Sequence, residues 1–312
     1  MSDITNIRIS PAKLSDEELF IGHKACAGCG GCVAVRLALK VLGSRSLVAV
    51  PAGCISAVSF LYPQMAFGVN AIISTFAGTA SMLSGMAAGA RALGLENINV
   101  VGFAGDGGTA DIGIQALSGA IDRHEKIIYI CYDNEGYMNT GVQKSGATPR
   151  GARTTTSPVG VQMRGSATGK KNMFEIAAAN GVDYAATASI GYPDDYLNKV
   201  ARAASINGTS YLHVLSPCPT GWGFSERECV KVAREAVDSG LWVLGEYYSG
   251  EYILSKEPAA FLPVKDYLSK QGRFKHLNED DIALIKWERD EYWKKVRKAW
   301  RIKGKVDPAA WI

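Results

Sequence analysis

Several things are missing from this 312-residue chain, and each absence removes a class of function. No tract of 18 uninterrupted apolar residues occurs, so no segment reads as a membrane-spanning helix. The opening Met1-Ser2-Asp3-Ile4-Thr5-Asn6 lacks an apolar signal region, which points to a cytoplasmic protein. A large excess of one charge is absent: with 34 basic and 30 acidic residues, the net charge of +4 is too mild to argue for nucleic acid. The seven cysteines are odd in number, which in a cytoplasmic chain argues for metal binding or bystander thiols rather than a disulfide framework.

What is present is an apolar, Gly- and Ala-rich chain, 47% hydrophobic, long enough to bury a sizeable core. The apolar run Val100 to Ala104 leads into Gly105-Asp106-Gly107-Gly108, and Ile127 to Cys131 leads into Asp133-Asn134. Each reads as a buried strand ending on polar chemistry. Thr109 to Arg123 has helical spacing, with Ile112, Leu117, Ala120 and Ile121 on its apolar face. The unit strand, GDGG, helix, strand, Asp-Asn puts both polar groups at the carboxyl ends of strands, where open α/β sheets bind ligands. A carboxylate and an amide oxygen suit Mg²⁺, with phosphate oxygens completing the octahedron. Glycines beside them let a large anion approach the backbone. The plainer reading makes GDGG and Asn134 turns only.

Further strands are expected at Leu47–Val50, Tyr211–Leu215 and Leu241–Leu244, with helices over 81–93, 173–180, 193–205 and 225–238. This alternation predicts an α/β fold, a mostly parallel sheet with helices on both faces. Residues 1–24 read as a polar leader and 25–250 as the main domain. Residues 251–312 form a C-terminal arm, its character changing at about Glu257. The arm holds Trp287, Tyr292, Trp293, Trp300 and Trp311 among many charges, and is expected to contact other subunits, packing on its own core being the alternative. Residues 134–172 interrupt the alternation with 39 residues that are expected to be functional or ordered by a partner.

Cys26-Ala-Gly-Cys29-Gly-Gly-Cys32 holds two overlapping C-x₂-C pairs. Cys54 and Cys218 each follow a strand, Cys218 between two prolines. Cys26, Cys29, Cys54 and Cys218 supply four sulfurs, enough for one 4Fe-4S cluster, with tetrahedral zinc as the alternative. A redox-active C-x-x-C is disfavoured because glycines rather than a helix start follow it. Cys32 is a spare fifth thiol, and Cys131 and Cys229 are structural.

The segments from Gly22 to Gly30, Gly53-Cys54, Gly105 to Gly113, Tyr132 to Gly141, Ser145 to Pro149 and Pro217 to Trp222 together resemble the thiamine-diphosphate-binding β subunits of the 2-oxoacid:ferredoxin oxidoreductases, the pyruvate synthase type above all. The resemblance covers about residues 20–250. It implies the thiamine-diphosphate-binding (PP-type) fold and the oxidative decarboxylation of a small 2-oxoacid, electrons passing through the 4Fe-4S cluster to ferredoxin. It implies that Asp106, Asn134 and the Gly136 carbonyl hold Mg²⁺ against the diphosphate. Gly105, Gly107 and Gly108 line the diphosphate loop, with Thr140 also assigned to cofactor binding. Asn139 faces the reacting carbon and the substrate. Cys26, Cys29, Cys54 and Cys218 bind the cluster. An α subunit completes the active site, and further subunits of γ and δ type are partners. Where pyruvate-type chains carry carboxylates, this one reads Cys54-Ile-Ser-Ala57 and Phe76-Ala-Gly-Thr-Ala80. That departure raises oxalate as a substrate beside pyruvate with coenzyme A, because fewer like charges favour a more anionic substrate. Two rivals are a non-redox thiamine diphosphate lyase or synthase with zinc-binding cysteines, and a non-enzymatic electron-transfer or assembly subunit.

Overall fold

A computed structural model describes residues 4, 7–9, 14 and 16–302. Thirteen residues, Gly30–Leu42, form α1, followed by β1 (Ser46–Pro51), α2 (Cys54–Ser59) and a hairpin of β2 (Phe60–Leu61) and β3 (Gln64–Met65). Next come β4 (Asn70–Ser74), α3 (Thr79–Ala92), β5 (Asn99–Gly105), a π-helical turn at Gly108–Ile112, α4 (Ile114–Asp122) and β6 (Ile127–Asp133). After a long loop follow α5 (Met173–Ala179), β7 (Tyr184–Ser189), α6 (Pro193–Ser205), β8 (Thr209–Leu215), α7 (Pro219–Trp222) and α8 (Cys229–Asp238). The chain ends in β9 (Leu244–Tyr248), β10 (Glu251–Lys256), α9 (Val264–Ser269), α10 (Glu279–Ala299) and β11 (Arg301–Ile302).

One nine-stranded sheet, in the order β11-β10-β9-β7-β8-β6-β5-β1-β4, organises the chain. From β7 to β4 every pairing is parallel, so six carboxyl ends share one edge. The direction reverses only at β9, which is antiparallel to both β7 and β10. β5, β6 and β8 are apolar or aromatic nearly throughout, as strands covered on both faces must be. On one face α1 and α6 cover Val50, Val101, Phe103, Ile130 and Leu212; on the other α3, α4 and α5 cover Ala49, Val100, Ala104 and Tyr129.

Two expectations about organisation are corrected. The last expected strand begins later than Leu241, because 241–243 are a turn that lets the chain reverse into β9. The stretch before residue 25 is not uniformly a polar leader, since Leu19 and Phe20 are buried and Phe20 bridges to Phe67. Most of residues 1–15, and Trp311, lie outside the described residues. The arm folds back on this chain: Trp293 and Trp300 are buried in the main core, Trp300 stacking on Tyr252 at 5.4 Å. The loop over 134–172 is ordered by its own chain, with Ser145, Ala147, Thr148, Ala152 and Ser157 buried. Of its basic residues, Arg150, Lys170 and Lys171 form ion pairs with Glu288, Asp133 and Asp111.

Candidate active site

Four parallel strands deliver chemistry to one edge of the sheet. β5 ends at Gly105 and the next residue is Asp106; β6 ends at Asp133 and the next is Asn134. Cys54 follows β1 by three residues, and Cys218 follows β8 by three. The amino end of α1 lies against the turn after β8, where the Gly30 amide donates to the Pro217 carbonyl at 3.2 Å.

The oxygens converge. The side-chain amide of Asn134 reaches 2.9 Å from both Asp106 Oδ1 and the Gly136 carbonyl. With its nitrogen turned inward it donates to both. Turned the other way, its oxygen faces two more oxygens, which is unfavourable without a cation among them. Mg²⁺ with Mg–O bonds of 2.0–2.1 Å sets neighbouring oxygens about 2.9 Å apart. The donor set therefore fits Mg²⁺ in number, hardness and spacing. Asp106 is fully buried; burial, and then the Asp133 carboxylate, push its carboxyl well above the usual range. Ser145 holds its other oxygen by a hydroxyl hydrogen bond.

A second layer fixes the loop that carries two of the three donors. Asp133 Oδ1 accepts from the Glu135 amide at 2.8 Å, and Oδ2 accepts from Lys170 Nζ at 2.7 Å and contacts His213 Nε2 at 2.8 Å. Burial alone would raise the Asp133 carboxyl, but Lys170 and then His213 hold it well below the ordinary range. Glu135 takes Lys170 on one oxygen at 2.6 Å and Arg273 on the other at 2.5 Å. Trp222 Nε1 donates to the Asn134 carbonyl at 2.7 Å.

The sulfurs of Cys26, Cys29, Cys54 and Cys218 lie within electrostatic reach of one another. The Cys54 thiol is pushed up to about 12 by burial first, then by Cys218, Cys29 and Cys26. Burial also raises Cys218, against the Gly221 amide that donates to its sulfur at 3.3 Å. Cluster binding by such thiols must release protons. Among the described residues no trio of His, Cys, Asp and Glu stands close enough to hold a single ion. A mononuclear tetrahedral zinc would need thiolates about 3.8 Å apart, given Zn–S bonds of about 2.3 Å; an iron–sulfur cubane holds its ligands wider. Cys29 caps α1 and Cys32 lies in its first turn, so a helix start does follow Cys29, contrary to the expectation from the glycines. The Cys32 side chain is the largest influence lowering the Cys29 thiol, to about 6. Cys131 is buried in β6, and the buried Cys229 thiol donates to the Pro217 carbonyl at 3.5 Å.

Other assigned residues stand differently. A Cβ on Gly107 would lie 2.3 Å from the Tyr137 ring, so glycine is required there by the chain's own aromatic side chain, not only by an incoming anion. At Gly108 it would meet Phe76 at 3.0 Å, and at Gly105 the Tyr132 ring at 3.4 Å. Asn139 and Thr140 are exposed at the tip of the turn after Gly136, and the Thr140 hydroxyl is engaged with Gln143 at 2.6 Å. The site residues that the sequence reading missed are Tyr132, Ser145, Lys170, His213 and Arg273 as supports. Tyr132 packs against Gly31, Gly53 and Gly105 at once. The polar end of β6 was the available signal for Asp133, and a lone histidine between Leu212 and Val214 in β8 the signal for His213. A cavity of about 370 Å³, lined by Glu135, His213, Thr187, Trp242, Tyr267 and Tyr292 among others, lies under the arm.

A fold that gathers an acidic oxygen set at adjacent strand ends is that of the thiamine diphosphate enzymes, and residues 51–214 match the family described as thiamine pyrophosphate enzyme, C-terminal TPP binding domain. The pyruvate synthase subunit PorB of Methanothermobacter thermautotrophicus is 48% identical over 274 residues, covering 88% of this chain and 95% of that one. The ketoisovalerate oxidoreductase subunit VorB of Pyrococcus horikoshii is 41% identical over 300 residues, covering 93% and 95%. In structure the chain is similar to 2-oxoglutarate:ferredoxin oxidoreductase from Magnetococcus marinus, with a TM-score of 0.56 over 68% of this chain and 69% of that one at 21% identity, a likeness of fold. The chain belongs to the thiamine-diphosphate-binding β subunits of the 2-oxoacid:ferredoxin oxidoreductases.

Proposed function

We propose that this chain, within a multi-subunit complex, oxidatively decarboxylates a small 2-oxoacid, pyruvate first, and passes the electrons through its own 4Fe-4S cluster to ferredoxin. The observation that carries the reading is the meeting of Asp106, Asn134 and the Gly136 carbonyl at Mg²⁺ spacing. These three would hold Mg²⁺ on the diphosphate, beside Gly105, Gly107 and Gly108. Thiamine diphosphate, once bound, supplies the carbon that stabilises the electron pair left by departing CO₂. Cys26, Cys29, Cys54 and Cys218 would ligate the cluster, a reading supported by the influence of Cys218, Cys29, Cys26 and Asp106 on the Cys54 thiol. Asn139 and Thr140, exposed at the loop tip, are available to substrate and to an α subunit that completes the site. The remaining partners are subunits of γ and δ type, ferredoxin and coenzyme A. Among the described residues no helix is long and apolar enough to cross a membrane, and we place the complex in the cytoplasm.

Pyruvate is favoured by the 48% identity to a pyruvate synthase subunit. Oxalate remains the second substrate reading, carried by the stretches Gly53–Ala57 and Phe76–Ala80, where two carboxylates were expected. The test is anaerobic purification of the whole complex with iron, sulfide, zinc, thiamine and magnesium measured on one sample. Four irons beyond those of partner subunits, with broad absorbance near 400 nm, support the reading; zinc in a colourless protein sinks it. Assays with pyruvate, 2-oxoisovalerate and oxalate then choose the substrate. Strong coenzyme A-dependent pyruvate oxidation without oxalate turnover ends the oxalate reading.

A further inference from the structure

We infer that Trp222 is a positioning residue that couples the sulfur site to the oxygen site, so that filling one tightens the other. The inference rests on the functional reading above and adds a connection to it. Cys218 and Trp222 belong to one short turn: Cys218 is the cap of α7, and the Trp222 amide donates to the Cys218 carbonyl at 2.8 Å. The same turn aims the Gly221 amide at the Cys218 sulfur. α7 is four residues long, too short to bend independently of its cap. Its indole, with no exposed surface, reaches across to β6 and donates to the Asn134 carbonyl. Arg273 closes the link from behind. Its guanidinium lies 3.7 Å over the Trp222 ring and pairs with Glu135, the residue after Asn134. A sulfur ligand and an oxygen ligand are thus joined by one turn, one indole and one buried hydrogen bond.

Coupling also requires an element with two states at the far end. Asn134 supplies it. Its amide turns nitrogen inward to bridge Asp106 and Gly136 without metal, and would turn oxygen inward with metal. The Trp222 hydrogen bond holds the Asn134 carbonyl, and with it the stretch of backbone from which that side chain is presented. Locking Cys218 onto a cluster fixes α7, fixes the indole and fixes Asn134 for the metal-bearing orientation. Reciprocity requires that metal and coenzyme favour the cluster by the same factor.

The experiment uses the intact complex. The dissociation constant of thiamine diphosphate with Mg²⁺ is measured by calorimetry before and after anaerobic removal of the cluster, in wild type and in Trp222→Phe. The phenyl ring retains a face for Arg273 and loses the N–H together with one ring of the indole. Coupling of ordinary size predicts that cluster loss weakens wild-type coenzyme binding about 5- to 20-fold. In Trp222→Phe, binding is already weak and cluster loss changes it less than about 2-fold. The midpoint potential of the cluster should move on adding coenzyme in wild type and stay fixed in the variant. The wild-type comparison stands by itself if the variant does not assemble. Equal coenzyme affinity with and without cluster in wild type overturns the coupling, and an undiminished difference in Trp222→Phe overturns the role of the indole. A wild-type complex that holds no cluster and no coenzyme refutes instead the functional reading.

Discussion

Arg273 and Glu135 stand 138 residues apart in sequence and 2.5 Å apart in space, both almost fully buried. The contact ties the C-terminal arm to the loop that carries Asn134 and Gly136. Removing one partner leaves the other charge buried and unpaired, which costs about 3–5 kcal/mol. Arg273→Leu should therefore lower the thermal midpoint by about 6–20 °C, using 2–4 °C per kcal/mol for a chain of this size. The double variant Arg273→Leu with Glu135→Gln should recover much of the loss, although Lys170 then loses one partner. Differential scanning calorimetry of the four proteins reads the coupling directly.

Asp106→Asn should separate function from stability. The buried carboxylate is held against desolvation and the Asp133 charge. Neutralising it should raise the melting temperature of the metal-free chain while abolishing Mg²⁺-dependent coenzyme binding, a loss of at least about 100-fold. The two readouts, calorimetric titration and thermal melting, must move in opposite directions; a fall in both would show that Asp106 is needed for folding instead.

Acid stability should depend on Lys170. Asp133 has a folded pKa below its unfolded value of about 3.9, so its contribution is present above about pH 4 and is lost as pH falls below it. Lys170→Met removes the main charge that lowers it. The variant should lose about 3–5 kcal/mol at pH 7, and acid should unfold it at a higher pH than wild type. Circular dichroism followed from pH 7 to pH 2 gives both numbers.

Replacing Cys26, Cys29, Cys54 or Cys218 singly by Ser should remove a whole cluster's iron from the complex. Cys131→Ala and Cys229→Ala should leave iron and acid-labile sulfide unchanged. Iron assay of the six purified variants is the check, and any of the first four that keeps its full iron is not a ligand.

The strands that carry the site were legible because their chemistry is local. β5 and β6 carry continuous apolar runs, each leading to a residue that no core would accept unpaired. β7 was not, since Tyr-Ala-Ala-Thr-Ala-Ser has weak strand preference and is held by β8 and β9 on either side. The tryptophans seven apart in the arm announced a buried face, but whose surface would cover it is a tertiary fact: Gly245 leaves room for the Trp300 ring. Support of the oxygen donors was illegible for a related reason. Ser145, Lys170 and Arg273 meet Asp106, Asp133 and Glu135 over separations of 39, 37 and 138 residues, and no local pattern encodes such meetings. Gly107 was read through the anion it could admit, whereas Tyr137 already demands it.

Cys218, Asn134, Asp106 and Cys54 follow β8, β6, β5 and β1, four neighbours across the sheet. The outer pair bears sulfur and the inner pair oxygen. Asp106 and Asn134, each one residue past its strand, are stepped by the ladder itself, about 4.8 Å from strand to strand. Backbone amides and carbonyls therefore keep the gauge between the two oxygen-bearing strand ends, whatever the crossover helices contain. Helices can lengthen, exchange residues or acquire insertions without detuning that interval, which leaves much of the exterior free to diverge among relatives that share one chemistry.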